Sequence, residues 1–140
     1  MNQSDIFLPV SALVALTFLV LLNVPIRRFA SAFQGKTTRD DYKYGESARV
    51  PPEVSIPNRN LMNLLEMPVL FYVLAISLFV TGGVTQNLMN LAWGFVGLRA
   101  AHSLVHLTFN NVMVRLTLYA ISNVVLAVMW VAFFNGLRAP

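Results

Sequence analysis

The sequence predicts an all-α integral membrane protein built as a four-helix transmembrane bundle. Three observations carry that prediction. The 140-residue chain is 56% hydrophobic and only 11% charged, with a mean hydropathy of +0.63; an average soluble domain carries about 25% charge. Four stretches come close to the ~20 mostly apolar residues that cross a hydrocarbon layer. Seven of the ten Lys and Arg residues crowd into one connecting segment. The same composition excludes other classes. A disordered chain needs low hydrophobicity. A disulfide scaffold or thiolate metal site needs cysteine, and the chain has none. A pI near 10 fits nucleic acid in general, but ten basic residues do not keep this much apolar surface in water. Membrane lipid is the expected surrounding, and no nucleic-acid partner is expected.

The elements follow in order, as one four-span domain over residues 1–140. The first span covers residues 6–24 and carries no charge. Its flank, Met1 to Asp5, holds an acid and no base, and no small-residue cleavage site precedes Arg27-Arg28. A retained span is therefore expected rather than a signal peptide. Residues 25–60 form a long polar loop with Arg27, Arg28, Lys36, Arg39, Lys43, Arg49 and Arg59. The positive-inside rule places this loop in the cytoplasm and both termini on the other side, in a bacterial inner membrane or an ER-type membrane. Pro51, Pro52 and Pro57 predict an extended second half of the loop. The second span, residues 61–84, contains Glu66, with Pro68 as the source of a kink. A short turn at Gly82-Gly83 leads to the third span, residues 88–109, with Arg99, His102 and His106 inside. The turn at Asn110-Asn111 leads to the fourth, residues 112–134, with Arg115 near its start. Trp93 and Trp130 fall toward the outer interface, where aromatic residues concentrate.

Each charge inside a span costs ~2.5–3.5 kcal/mol on insertion scales, so Glu66, Arg99, His102 and Arg115 need a reason. At 1.5 Å rise per residue, Glu66, His102 and Tyr119 all lie roughly 10 Å below the cytoplasmic end, with Arg99 deeper at roughly 15 Å. Arg59, His106 and Arg115 lie within roughly 5 Å of the surface. The faces agree with the depths. Arg59, Asn63 and Glu66 are spaced 4 and 3; Arg99, His102 and His106 are spaced 3 and 4; Arg115, Tyr119, Ser122 and Asn123 follow the same rule. Three polar stripes on three helices thus occupy one leaflet. Arg59, Arg99 and Arg115 outweigh the single carboxylate of Glu66, so the expected occupant is polar, anionic and cytoplasmic, beside apolar walls. A purely structural alternative, with Glu66 pairing Arg99 and His102 filling a hydrogen-bond gap, explains one pair better than three matched stripes.

Three chemistries fit residues of this kind. His102 and His106 have the i, i+4 spacing of zinc ligands. Ser103, however, stands where an HExxH motif has Glu, and nearby guanidinium groups repel a divalent cation, so no metal site is expected. Haem ligation by His102 lacks a second-helix His partner. The third chemistry is activation of a ligand thiol, since Arg or Tyr beside a thiol stabilises the nucleophilic thiolate. Glutathione is such a ligand, and its carboxylates suit several Arg residues. An apolar electrophile would then arrive from the lipid side.

The run Arg59-Asn60-Leu61-Met62-Asn63-Leu64-Leu65-Glu66-Met67-Pro68 resembles the second-helix motif of the MAPEG family, the membrane-associated proteins in eicosanoid and glutathione metabolism. Arg99-Ala100-Ala101-His102, followed by Arg115 and Tyr119, resembles the third and fourth helices of the same family. The resemblance covers about residues 5–135. It implies a homotrimer of four-helix bundles with glutathione between subunits in the cytoplasmic half. It also implies that Arg59, Asn63, Glu66, Arg99 and His102 hold the peptide, and that Arg27 or Arg28 reaches its carboxylate. Arg115 matches the Arg that faces the thiol, and Tyr119 a Tyr one turn further in. The sequence departs from the family in three places. His106 stands where many members have Tyr, which weakens that contact or makes it pH-dependent. Met62 replaces a basic residue, and Leu116 a Ser found in some members. The implied activity is a membrane-bound glutathione-dependent transferase or peroxidase acting on apolar electrophiles. The competing readings are a non-catalytic MAPEG-like subunit, which binds lipid or quinone or packs against a larger membrane complex, and a small haem or metal membrane protein.

Overall fold

The computed structural model describes residues 2–138, and among them every regular element is helical. A short 3-10 turn, Gln3–Ile6, is capped at Asn2, whose side chain accepts from the Ser4 N–H. It runs into α1, Phe7–Phe33. This helix continues past the expected end of the first span, carrying Pro25 and the Arg27-Arg28 pair out of the apolar stretch. Gly35, at φ 69°, then reverses the chain, and the Lys36 N–H returns to the Ser31 carbonyl at 3.0 Å.

The polar loop is ordered by one buried carboxylate. Asp41, 2% exposed, lies in a 3-10 turn over Arg39–Tyr42. Its side chain accepts from the Thr38 N–H at 2.8 Å, from Ser47 Oγ at 2.6 Å and from Arg49 Nε at 3.0 Å. Its carbonyl accepts from the Ser47 N–H at 2.8 Å. Arg28 closes the other side, donating to Glu46 at 3.2 Å and lying 4.6 Å over the Tyr42 ring.

Residues 52–60 are helical, which corrects the expectation of an extended segment. Helix α2 spans Pro52–Leu65. Pro52 opens it, where a missing N–H costs nothing because the first-turn N–H groups have no helical acceptor. Pro57 removes only the bond to the Glu53 carbonyl, which lies at an exposed residue, and its ring is buried. The second apolar stretch is broken rather than kinked. α2 stops at Glu66, whose ψ of −94° is not helical. Pro68 then opens a separate helix, α3, Pro68–Val80. Gly82, at φ 66°, turns the chain into α4, Gln86–Leu107, capped by Thr85. Asn110, at φ 49°, makes the next reversal, and α5 runs over Val112–Arg138.

Helix α4 is the centre of the packing. It lies along α5 and touches α1 and α2, while α1 lies along α2 and α3 touches α1 and α5. The core around Leu13, Phe71, Leu74, Leu78, Phe95 and Met129 is wholly apolar, with the Phe71 and Phe95 rings stacked at 5.0 Å. Gln3 pins the α3–α4 turn, its Oε1 accepting from the Val84 N–H at 2.8 Å and its Nε2 donating back to the Val84 carbonyl at 3.3 Å. Outside, Phe18, Leu22, Ile76, Val124 and Val131 are exposed, an arrangement that lipid solvates and water does not. Gln3–Phe33, Pro52–Val80 and Val112–Leu137 are each long and apolar enough to cross a membrane. Helix α4 has the length, at 22 residues, but the polar groups Arg99, His102, Ser103 and His106 lower its apolar content.

The loop yields a direct test. Bonds from Ser47, Thr38 and Arg49 hold the Asp41 carboxyl well below the usual carboxylate range. A lowered native pKa adds stability that is complete above the free carboxyl's 3.8 and is lost as pH falls below it. Asp41→Ala is expected to raise hydrogen exchange about tenfold or more over residues 38–50 at pH 7, with the helices unaffected. Acidification below 3.8, after correction for intrinsic rates, is expected to erode the parent's protection progressively, with the full loss reached only where the native carboxyl itself is protonated, well below 3.8. Unchanged protection in the variant would show that the carboxylate does not order the loop.

Candidate functional site

The break in the second apolar stretch creates the first element of the site. The last carbonyls of a helix have no intrahelical partner and sit at its negative end. At the end of α2 the Asn63 carbonyl is one of these, and Arg99 Nη2 of α4 donates to it. Arg99 is fully buried, and its Nε and Nη1 have no hydrogen-bond partner. The guanidinium carbon lies 5.5 Å from the centroid of the Tyr119 ring on α5, within the range of a cation–π contact. No ion pair joins Arg99 to Glu66 among the described residues, where the pairs are Arg28–Glu46 and Arg49–Asp41. The structural alternative, charge neutralisation by Glu66, is therefore not how this chain accommodates Arg99.

One turn along α4, His102 is buried with its Nδ1 unpartnered. Its ring is 6.0 Å from that of Tyr119 and 5.9 Å from that of His106, met edge-on. His106 is 1% exposed with both ring nitrogens unpartnered. On α5, Arg115 Nη1 donates to Asn110 Oδ1 at 2.7 Å, and its Nε is buried without a partner. Asn63, His102, Arg115 and Tyr119, with Val112 and Leu116, line one cleft of about 200 Å³. Three helices thus bring four of the sequence-predicted residues to one opening, with Arg99 and His106 packed behind it.

The remaining predicted residues lie elsewhere. Arg59 is exposed and lines a neighbouring cleft of about 570 Å³, with Asn110, Ser55 and residues of the polar loop. Glu66 is exposed at the helix break. Arg27 is exposed on α1 and lines a separate cleft with Lys36 and Glu53, so a single chain does not bring it to the cluster. The Asn63 side chain turns back, donating to the Arg59 carbonyl at 3.0 Å.

Sequence reasoning passed over three groups. Asn60, fully buried, accepts from Ser103 Oγ at 3.2 Å and so ties α2 to α4. Its neighbours in sequence drew attention instead, although a second Asn and a Ser next to His102 were visible signals. Asn110 has the sequence signature of a turn residue alone, yet its side chain reaches Arg115. Among the described residues no group of three His, Asp or Glu side chains converges as metal ligands do.

Apolar helices around a cleft lined by Arg115, His102 and Tyr119 define an all-helical membrane protein with a polar cleft near one end of its helices. The MAPEG family model matches residues 6–135, nearly the whole chain, and the protein belongs to that family. No curated protein and no solved structure matches it. Membership supports, in general terms, a membrane function in glutathione-related transfer or eicosanoid chemistry.

The under-paired state of Arg99 predicts how stability responds to its loss. A buried charge with few partners is costly to keep out of water, and an apolar side chain in its place removes that cost. Arg99→Leu in detergent is expected to melt at or above the parent temperature. A clear drop in Tm would mean that the guanidinium is better satisfied than its single hydrogen bond indicates.

Proposed function

We propose that this protein is a membrane-bound glutathione-dependent transferase or peroxidase acting on apolar electrophiles. The observation that carries the reading is the cleft where Arg115, His102 and Tyr119 meet beside the buried Arg99. A cleft whose lining offers guanidinium, imidazole and phenol groups and no carboxylate suits a ligand that brings its own negative charge. The chain has no cysteine, so a nucleophilic sulfur must arrive with the ligand. Family membership supports glutathione as that ligand.

In this reading Arg115 faces the glutathione sulfur. Its guanidinium, held at the mouth of the cleft, stabilises the thiolate over the thiol by charge–dipole and hydrogen-bond contact, which makes sulfur nucleophilic at neutral pH. Tyr119 lies one turn deeper and offers a hydroxyl to the same sulfur or to the departing group. Asn63, Glu66, Arg59, Arg99, His102 and His106 anchor the peptide. In transfer, the thiolate forms a carbon–sulfur bond to the electrophile and the leaving group departs with the electron pair, or the adduct takes up a proton. In peroxide reduction, the thiolate attacks the terminal peroxide oxygen, the O–O bond breaks and the alkoxide leaves and takes up a proton; a second glutathione then displaces water from the resulting sulfenic acid to give the disulfide.

The reading takes four membrane spans, α4 being the most polar, with the Lys- and Arg-rich loop on the cytoplasmic side and both termini outside, as the positive-inside rule favours. The chain assembles as a homotrimer, and a neighbouring copy supplies Arg27, which lies apart from the cluster of its own chain. The apolar substrate enters from lipid past the exposed Leu116 and Val112. The site then joins two substrates that share no common solvent.

Glutathione is expected to raise the Tm of the detergent-solubilised protein, since a ligand at a hundred times its Kd adds about 2.7 kcal/mol to the native state. Thiolate absorbance is expected to appear on mixing and to vanish in Arg115→Leu. No Tm shift at millimolar glutathione would refute the reading and favour a non-catalytic subunit that binds lipid or quinone.

A further inference from the structure

Two clefts meet at the reversal between α4 and α5. The larger, about 570 Å³, is lined by the polar loop, the start of α2, Arg59 and Asn110. The smaller, about 200 Å³, is lined by Asn63, His102, Arg115 and Tyr119. Asn110 lines the first and binds a residue of the second, because its Oδ1 accepts from Arg115 Nη1 at 2.7 Å. Its backbone is fixed independently. The Asn110 N–H donates to the Val105 carbonyl at 2.8 Å, and φ is +49°. Glycine is the residue that adopts this left-handed conformation at least cost, and asparagine is one of the few others that accept it. Asparagine at this position therefore keeps the turn and adds a side-chain acceptor that glycine lacks.

We propose that Asn110 is the positioning residue for Arg115, a neutral clamp that fixes the guanidinium at the junction of the two clefts. Neutrality matters. An Asp here would offer a stronger acceptor but would cancel the positive charge that an anionic guest needs. The amide orients one terminal nitrogen and leaves the charge whole. Arg115 Nε is buried and has no protein partner, so the clamp holds a guanidinium whose remaining donors are uncommitted. The long arginine side chain would otherwise spread over many rotamers, and fixing it before the guest arrives removes that ordering cost from binding and from the reaction.

The role in thiol activation rests on the proposed function; the clamp itself does not. The test uses the full chain in detergent with two variants, Asn110→Gly, which suits the positive φ, and Asn110→Asp, which keeps the acceptor. Phenylglyoxal labelling of Arg115, read by mass spectrometry with Arg59 as internal reference, reports the clamp without any substrate. Arg115 is expected to label several-fold faster in Asn110→Gly and more slowly in Asn110→Asp. Conjugation of glutathione to chlorodinitrobenzene reports positioning. For Asn110→Gly, kcat is expected to fall about tenfold with KM changed less than about twofold, the loss typical of one hydrogen bond to a charged group. For Asn110→Asp, the pH–rate profile is expected to move to higher pH, because a neutralised Arg115 stabilises the thiolate less. Equal labelling in parent and both variants overturns the clamp. Faster labelling in Asn110→Gly with unchanged kcat and pH profile overturns the positioning role. Should the parent neither bind nor conjugate glutathione, the functional reading fails, and the labelling contrast alone still decides the clamp.

Discussion

A guanidinium buried in a membrane bundle with a single hydrogen bond is the constraint around which this protein is arranged. Lipid offers a charged group nothing, and an unsatisfied polar atom in hydrocarbon costs several kcal/mol. Arg99 is therefore held by whatever the neighbouring helices can spare. One spared group is a carbonyl at the end of α2, free only because the helix stops there. Another is the face of Tyr119. Two donors stay unpartnered, and that residue of unmet demand is what an anionic guest would satisfy.

The helix break and the cluster are one device. Without the interruption at Glu66, the Asn63 carbonyl would point along a continuous helix toward the N–H four residues on. Pro68 cannot continue the ladder, because it has no N–H and its ring clashes with the preceding turn. The broken stretch thus trades backbone hydrogen bonds for a cation at its negative end. The apolar core lies beyond the break, between Phe71, Leu74, Phe95 and Met129, and the buried polar groups Asn60, Arg99, His102, Ser103 and His106 lie on the loop side of it.

Much of this was visible in the sequence, and the parts that were not share a cause. Spacings of three and four placed Asn63, His102, Arg115 and Tyr119 on their helix faces, and those residues do line one cleft. Periodicity fixes a face; it does not fix the rotation of one helix against another. That is why Asn60 rather than Asn63 sends its side chain into the α2–α4 contact. Residues 52–60 are helical despite Pro52 and Pro57 because a proline's effect on a helix depends on its position. At the first turn a proline removes a bond that does not exist. The Asp41 knot depends on Ser47, Thr38 and Arg49 converging from a loop with no periodicity at all. Asn110 looked like an ordinary turn residue until its side chain was seen against Arg115.

The proposed role of the buried Arg99 of α4 and the half-buried Arg115 of α5 is to receive an anionic guest. It is tested most directly by calorimetric titration of the detergent-solubilised protein with glutathione and, separately, with glutathione diethyl ester, in which both carboxylates are masked and the thiol is unchanged. Saturable binding of glutathione and at least tenfold weaker binding of the diester are expected, since charge-assisted hydrogen bonds are worth about 1.5–3 kcal/mol each. Equal affinity for the two, or binding of neither, would contradict it.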